Sequence, residues 1–251
     1  MSSDSYKALC TDFYVNQKLN VKLELPKTRE TVLEFFERIR RQFSHMASFR
    51  RFRDELALES PQSDMPHRWL ACRAANIRSG CVNPATLPEG YALHKSVLSL
   101  APAYLSVTAL DVDYIELMYG FDLAAGGNHD AIVLEALIPG SPLATLLDVP
   151  GATPIDCQPM IGFALGKPGD LEVHFEVKTR PSSSSPARDP ADGQDPISVY
   201  LTLRKFGPVN DVADLPKIFD KLSGIGEELL ETRVVPGLLL PIREAIASGN
   251  A

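Results

Sequence analysis

The stretch LEVHFEVK, Leu171 to Lys178, alternates almost without fault. Leu171, Val173, Phe175 and Val177 fall on one side of an extended chain, and Glu172, His174, Glu176 and Lys178 on the other. A period of two is the mark of a strand with one buried and one wet face. ISVYLTLRKF places Ile197, Val199, Leu201 and Leu203 on one face, and DVDYIELMYGFDL does the same with Ile115, Leu117, Tyr119 and Phe121. LNVKLEL, Leu19 to Leu25, reads as a further strand with Leu19, Val21, Leu23 and Leu25 inward. A chain with this many half-buried strands must build antiparallel sheet and cover one face of it.

The cover is helical. After Pro26, Thr28 is placed to cap a helix carrying Val32, Phe36, Ile39, Phe43 and Met46 at helical spacing. RFRDELALES and HRWLACRAANIRSG read as two strands separated by the turn-rich PQSDMP. Thr86 and Glu89 form a capping-box pattern, with Pro88 just inside a helix that runs to about Leu105. Asn128 or Asp130 starts a short helix through AIVLEALI. IDCQPMIGFAL reads as a strand at an edge or with a bulge, because Pro159 has no N–H to give a ladder. A last helix begins near Asp214 and is kinked by Pro236. The low-complexity PSSSSPARDPADGQD, about residues 181–196, has nothing to bury and reads as a disordered loop inside a domain.

RSGCVNPATLP, at Arg78, returns as KFGPVNDVADLP, at Lys205. Each copy follows a strand, uses Gly80 or Gly207 to leave it, and reaches a helix start at Thr86 or Asp214. The element order also repeats: strand, helix, two strands, helix, with one extra strand in the second half. Together these point to an internal duplication: residues 1–110 as a first unit with a basic helix, and 111–251 as a second. The expected architecture is α+β, a largely antiparallel sheet with helices packed on one face. In element order alone, it resembles the helix-grip layout of TATA-box-binding-like and START-like domains.

The net charge of −7 argues against general binding to a nucleic-acid backbone. Residues 1–80 nevertheless hold 14 Lys/Arg against 10 Asp/Glu, which leaves about −11 on the rest. No apolar run approaches the roughly 20 residues of a membrane span. The start lacks the basic and apolar regions of a signal peptide. Cys10, Cys72, Cys81 and Cys157 are too sparse for a disulfide framework and form no metal-binding pair. The expectation is a cytoplasmic protein with reduced thiols and no cofactor.

Two groups of residues are candidates for binding. Arg38, Arg40 and Arg41 on the first helix crowd with Arg50, Arg51 and Arg53, and guanidinium planes suit carboxylate and phosphate. Against a site stands pairing with Glu34, Glu37, Asp54 and Glu55, which would make this a solvated flank. The second group is the polar side of the sheet, with Lys22, His174 and Arg204. Asp111, Asp113, Glu116, Asp122, His129 and Asp130 match no metal-binding spacing and read as strand and cap residues. Trp69 reads as a core or interface anchor. The expected function is a non-enzymatic binding or assembly module that uses the polar sheet face or the arginine flank (Arg38, Arg41, Arg51, Arg53) on a protein partner or a second copy. The alternative is a small-molecule or metal-dependent hydrolase with a pocket between the two units, drawing on Asp113, His129 or His174.

Overall fold

The computed structural model describes residues 6–147, 149–167, 169–179 and 195–249. The Ser/Pro-rich stretch lies almost wholly outside them.

Among the described residues, nine strands form one open antiparallel sheet: β1 (Asp12–Val21), β2 (Ser48–Arg51), β3 (Leu56–Glu59), β4 (His67–Arg73), β5 (Asn76–Val82), β6 (Val112–Ala124), β7 (Met160–Leu165), β8 (Leu171–Lys178) and β9 (Pro196–Phe206). They lie in the order β2-β3-β4-β5-β1-β6-β9-β8-β7. The helices are α1 (Arg29–Gln42), α2 (Leu87–Leu105), α3 (His129–Leu137) and α4 (Leu215–Leu229). A π-helical stretch, Leu230–Leu239, then leads into α5 (Leu240–Ser248).

β1 and β6 pair along their length, with Phe13 opposite Phe121, Val15 opposite Tyr119 and Leu19 opposite Ile115. All six are fully buried. Each such side chain contributes roughly 1.5–3 kcal/mol by leaving water. On this face lie α2 and α4: Phe219 of α4 meets the Tyr91 ring at 5.5 Å, and the Tyr91 and Tyr119 hydroxyls are 2.7 Å apart. The alternation read in β6, β8 and β9 holds, with Ile115, Val173 and Leu203 among the buried side chains.

Several expectations need correction. The first strand is Asp12–Val21, not Leu19–Leu25, and Leu23 is 70% exposed. Its inward row Phe13, Val15, Gln17, Leu19 is broken by a buried glutamine, which masks the alternation. HRWLACRAANIRSG is a hairpin, β4–β5, and RFRDE holds the turn of a second one, β2–β3. Among the described residues, the first half contributes five strands and the second four, so the extra strand there belongs to the first. The interruption at Pro236 is met by π-helical winding.

The two glycines of the repeated motif act differently. Gly80 lies inside β5, where a β-carbon would stand 2.2 Å from the Trp69 ring. Gly207 follows β9, where a β-carbon would stand 2.2 Å from the Val112 carbonyl oxygen. Thr86 caps α2 as expected, accepting from Glu89 N–H at 3.2 Å while Glu89 accepts from Ala85 N–H at 2.8 Å. Asp214 precedes α4 without capping it; Asp211 accepts from Ala213 N–H one turn earlier. Asn128 caps α3, accepting from the N–H groups of Asp130 and Ala131.

Candidate functional site

On the sheet face opposite the helices, register brings Arg78, Lys18, Glu116, Arg204 and Glu172 into one cross-strand row. Its three cations all have internal partners. Arg204 donates to Glu116 at 2.6 and 2.9 Å and lies 4.7 Å from the Tyr114 ring centre. Lys18 donates to the Tyr114 hydroxyl at 2.6 Å, and Arg78 donates to Glu55. The neighbouring row is flattened by rings on glycines: Trp69 over Gly80 and His174 over Gly162, with Tyr14 over Gly120 one row further. Trp69 is therefore a half-buried residue of the open face rather than a core anchor. A cleft of about 260 Å³ lies here between Trp69, Asn16, Lys18 and Glu116. Lys22 does not belong to this face. It follows the end of β1 and donates to the Leu110 carbonyl at 3.2 Å.

The arginine flank divides. Arg40 pairs with Glu37 at 2.9 Å, Arg50 with Glu59 at 3.7 Å, Arg68 with Glu89 at 2.9 Å, and Arg73 and Arg78 both with Glu55. Among the described residues, no side-chain hydrogen bond or ion pair engages Arg29, Arg38, Arg41, Arg51 or Arg53. Arg38 and Arg41 stand exposed on α1, whereas Arg51 and Arg53 meet Arg29 around a groove of about 560 Å³ between α1 and the β2–β3 hairpin.

Apolar side chains line the groove. Phe36 and Leu33 of α1 face Phe49 and Phe52 of the hairpin, with the Phe36 and Phe49 rings 5.3 Å apart. Phe49 and Phe52 remain 45% and 48% exposed. Five cationic and two acidic residues complete the lining, and one of the acids, Glu55, is already held by Arg73 and Arg78. The other, Asp54, has no ion pair among the described residues. Sequence reasoning found Arg51 and Arg53 but missed Arg29, Phe49 and Phe52. The signal was present in FRRFR, where aromatics interleave with arginines on a short strand at the sheet edge.

The side chains considered for catalysis are not brought together. Asp113 accepts from Asn20 at 3.0 Å on β6, His129 donates to the Ala125 carbonyl at 3.0 Å at the start of α3, and His174 lies on β8. No hydrogen bond joins any two of them. The other carboxylates tie elements together: Asp111 accepts from Leu23 N–H at 2.9 Å, Asp122 from Ser198 at 2.6 Å, and Asp130 from Thr179 and Cys157. Among the described residues, no group of three or more His, Cys, Asp or Glu is placed to hold a metal ion.

One Ser–His contact has the distance of a nucleophile and its base: Ser79 Oγ lies 2.7 Å from His94 Nδ1. Both residues are fully buried, and neither lines the groove or the open-face cleft. Burial pushes the His94 imidazole down to about 3, too weak a base for proton transfer near neutrality. Burial likewise pushes the thiols of Cys10, Cys72 and Cys81 up to about 12, which removes the thiolate that chemistry needs.

Among the described residues, no helix is long and apolar enough to cross a membrane. No protein-family model matches this chain, and no curated protein matches it.

Proposed function

We propose that the protein is a binding module, not an enzyme, and that its ligand seats in the groove between α1 and the β2–β3 hairpin. The observation that carries this reading is the set of three guanidinium groups, on Arg29, Arg51 and Arg53, that have no ion pair among the described residues and stand around an apolar trough. Arg40, Arg50, Arg68, Arg73 and Arg78 have found acids, and Arg38 and Arg41 stand exposed outside the groove, so these three are the guanidinium groups the groove offers a ligand. The sheet face is the weaker surface, because Arg204, Lys18 and Arg78 are already spent on internal partners. A cytoplasmic location fits the four free thiols.

The two halves, residues 1–110 and 111–251, are read as copies of one unit. The support is the strand order, which runs β1-β5-β4-β3 outward from the centre on one side and β6-β9-β8-β7 on the other. The helix-grip likeness stays one of layout and carries no ligand with it.

The test is native mass spectrometry of the protein isolated from its own cells, beside a Phe52→Glu variant prepared in the same way. A co-purifying mass present in the wild type and lost from the variant supports the groove. A mass retained by the variant, or none in either, overturns it.

A further inference from the structure

We infer that the groove's ligand is a small amphipathic organic acid: one apolar body and one carboxylate. This rests on the groove reading and narrows it. The volume, about 560 Å³, falls in the range of sites that hold a single small molecule. The floor made by Val32, Phe36 and Leu56 offers no strong hydrogen-bonding side chain, so the inserted part must be apolar.

The rim then selects the head. Arg29 comes from the first turn of α1, while Arg51 and Arg53 come from the end of β2 and the turn after it, so cations approach the mouth from both walls. A carboxylate matches a guanidinium fork in two parallel hydrogen bonds, and an ammonium or hydroxyl head does not. Asp54 on the same rim adds repulsion to any acid, but three unpaired cations outweigh it. A bulky polyanion would have to leave most of its charge outside a trough whose walls are aromatic and aliphatic. That favours one head on one apolar body.

The experiment is calorimetric titration of the full chain with decanoate, decanol, decyltrimethylammonium, and a short peptide of alternating Leu and Glu. Decanoate is expected to bind at least tenfold more tightly than decanol, and decyltrimethylammonium not at all. R51Q/R53Q should erase the preference for decanoate over decanol. Phe52→Glu should abolish binding of both while leaving the circular dichroism spectrum unchanged. All these side chains are exposed, so the variants keep the fold.

Equal binding of decanoate and decanol, lost in Phe52→Glu, would overturn the acid while the groove stands. A peptide that binds through Phe52 and Arg51 where decanoate does not would make the occupant a protein segment, and the small acid falls. Binding of no probe, or binding indifferent to Phe52, would overturn the small acid together with the groove.

Discussion

Gly226 of α4 packs directly on the ring of Tyr119: a β-carbon at residue 226 would stand 2.5 Å from Tyr119 Cε2. The ring cannot easily yield, because its hydroxyl meets Tyr91 at 2.7 Å and the Ser223 carbonyl at 3.4 Å. Ala normally gains about 1 kcal/mol over Gly inside a helix. Here overpacking should reverse the sign, so Gly226→Ala should lose about 1–3 kcal/mol in urea unfolding. Gly224, two residues earlier, has nothing within 4 Å of its added β-carbon, so Gly224→Ala should be stabilising. A stabilised G226A would show that α4 does not depend on this close approach.

His94 makes stability pH-dependent in a defined window. Its Nε2–H donates to the Val15 carbonyl at 3.2 Å, so Nδ1 must accept from Ser79. Gln17 completes the network, its amide nitrogen donating to Ser79 Oγ at 3.0 Å and its oxygen accepting from Leu19 N–H at 2.8 Å. The folded imidazole titrates near 3 against an ordinary 6.5. Above the ordinary value it is neutral whether folded or not, and its contribution is constant. As pH falls through 6.5 the unfolded chain takes the proton and the folded one refuses it until about 3, so folding weakens across that interval. The slope approaches about 1.4 kcal/mol per pH unit. Urea unfolding between pH 6 and 4 should show a slope shallower by about that amount in His94→Asn, and equal slopes would refute the assignment.

The thiols should be silent in the native state. With values near 12, Cys10, Cys72 and Cys81 carry on the order of one thiolate in ten thousand at pH 8. A disulfide reagent at that pH should react with them far more slowly than with free cysteine, and with all four cysteines at once in denaturant. Fast native labelling of two or more sites would contradict the prediction.

Trp69 is the only tryptophan, so its fluorescence reports its seat on Gly80. Gly80→Ala should lift the ring off the sheet, shift its emission to the red, and cost about 1–3 kcal/mol. Unchanged emission would mean that the ring does not depend on the glycine.

Local patterns were legible where one element's own chemistry decides the outcome. The alternation in β6, β8 and β9, the capping box at Thr86 and Glu89, and the Asn128 cap need only neighbours a few residues away. β1 is hidden because Gln17 sits inward, and the side chain that meets its amide belongs to Ser79, 62 residues further on. The repeated glycines looked alike in the sequence, yet one answers an indole and the other a backbone carbonyl.

The candidate site divides in the same way. From sequence alone, the six arginines from Arg38 to Arg53 stand as available cations, with nearby acids as their neutralisers. Which ones were neutralised depended on folding. Glu55 collects Arg73 and Arg78, 18 and 23 residues away, because β3, β4 and β5 pair in register. The same hairpin leaves Arg51 and Arg53 facing α1 across an apolar groove. Periodicity along the chain determined which side chains would be buried, because it reflects the geometry of a single strand or helix. The tertiary structure alone decided which charges would be paired, because an ion pair acts over a few ångströms between segments whose distance along the chain says nothing of their distance in space.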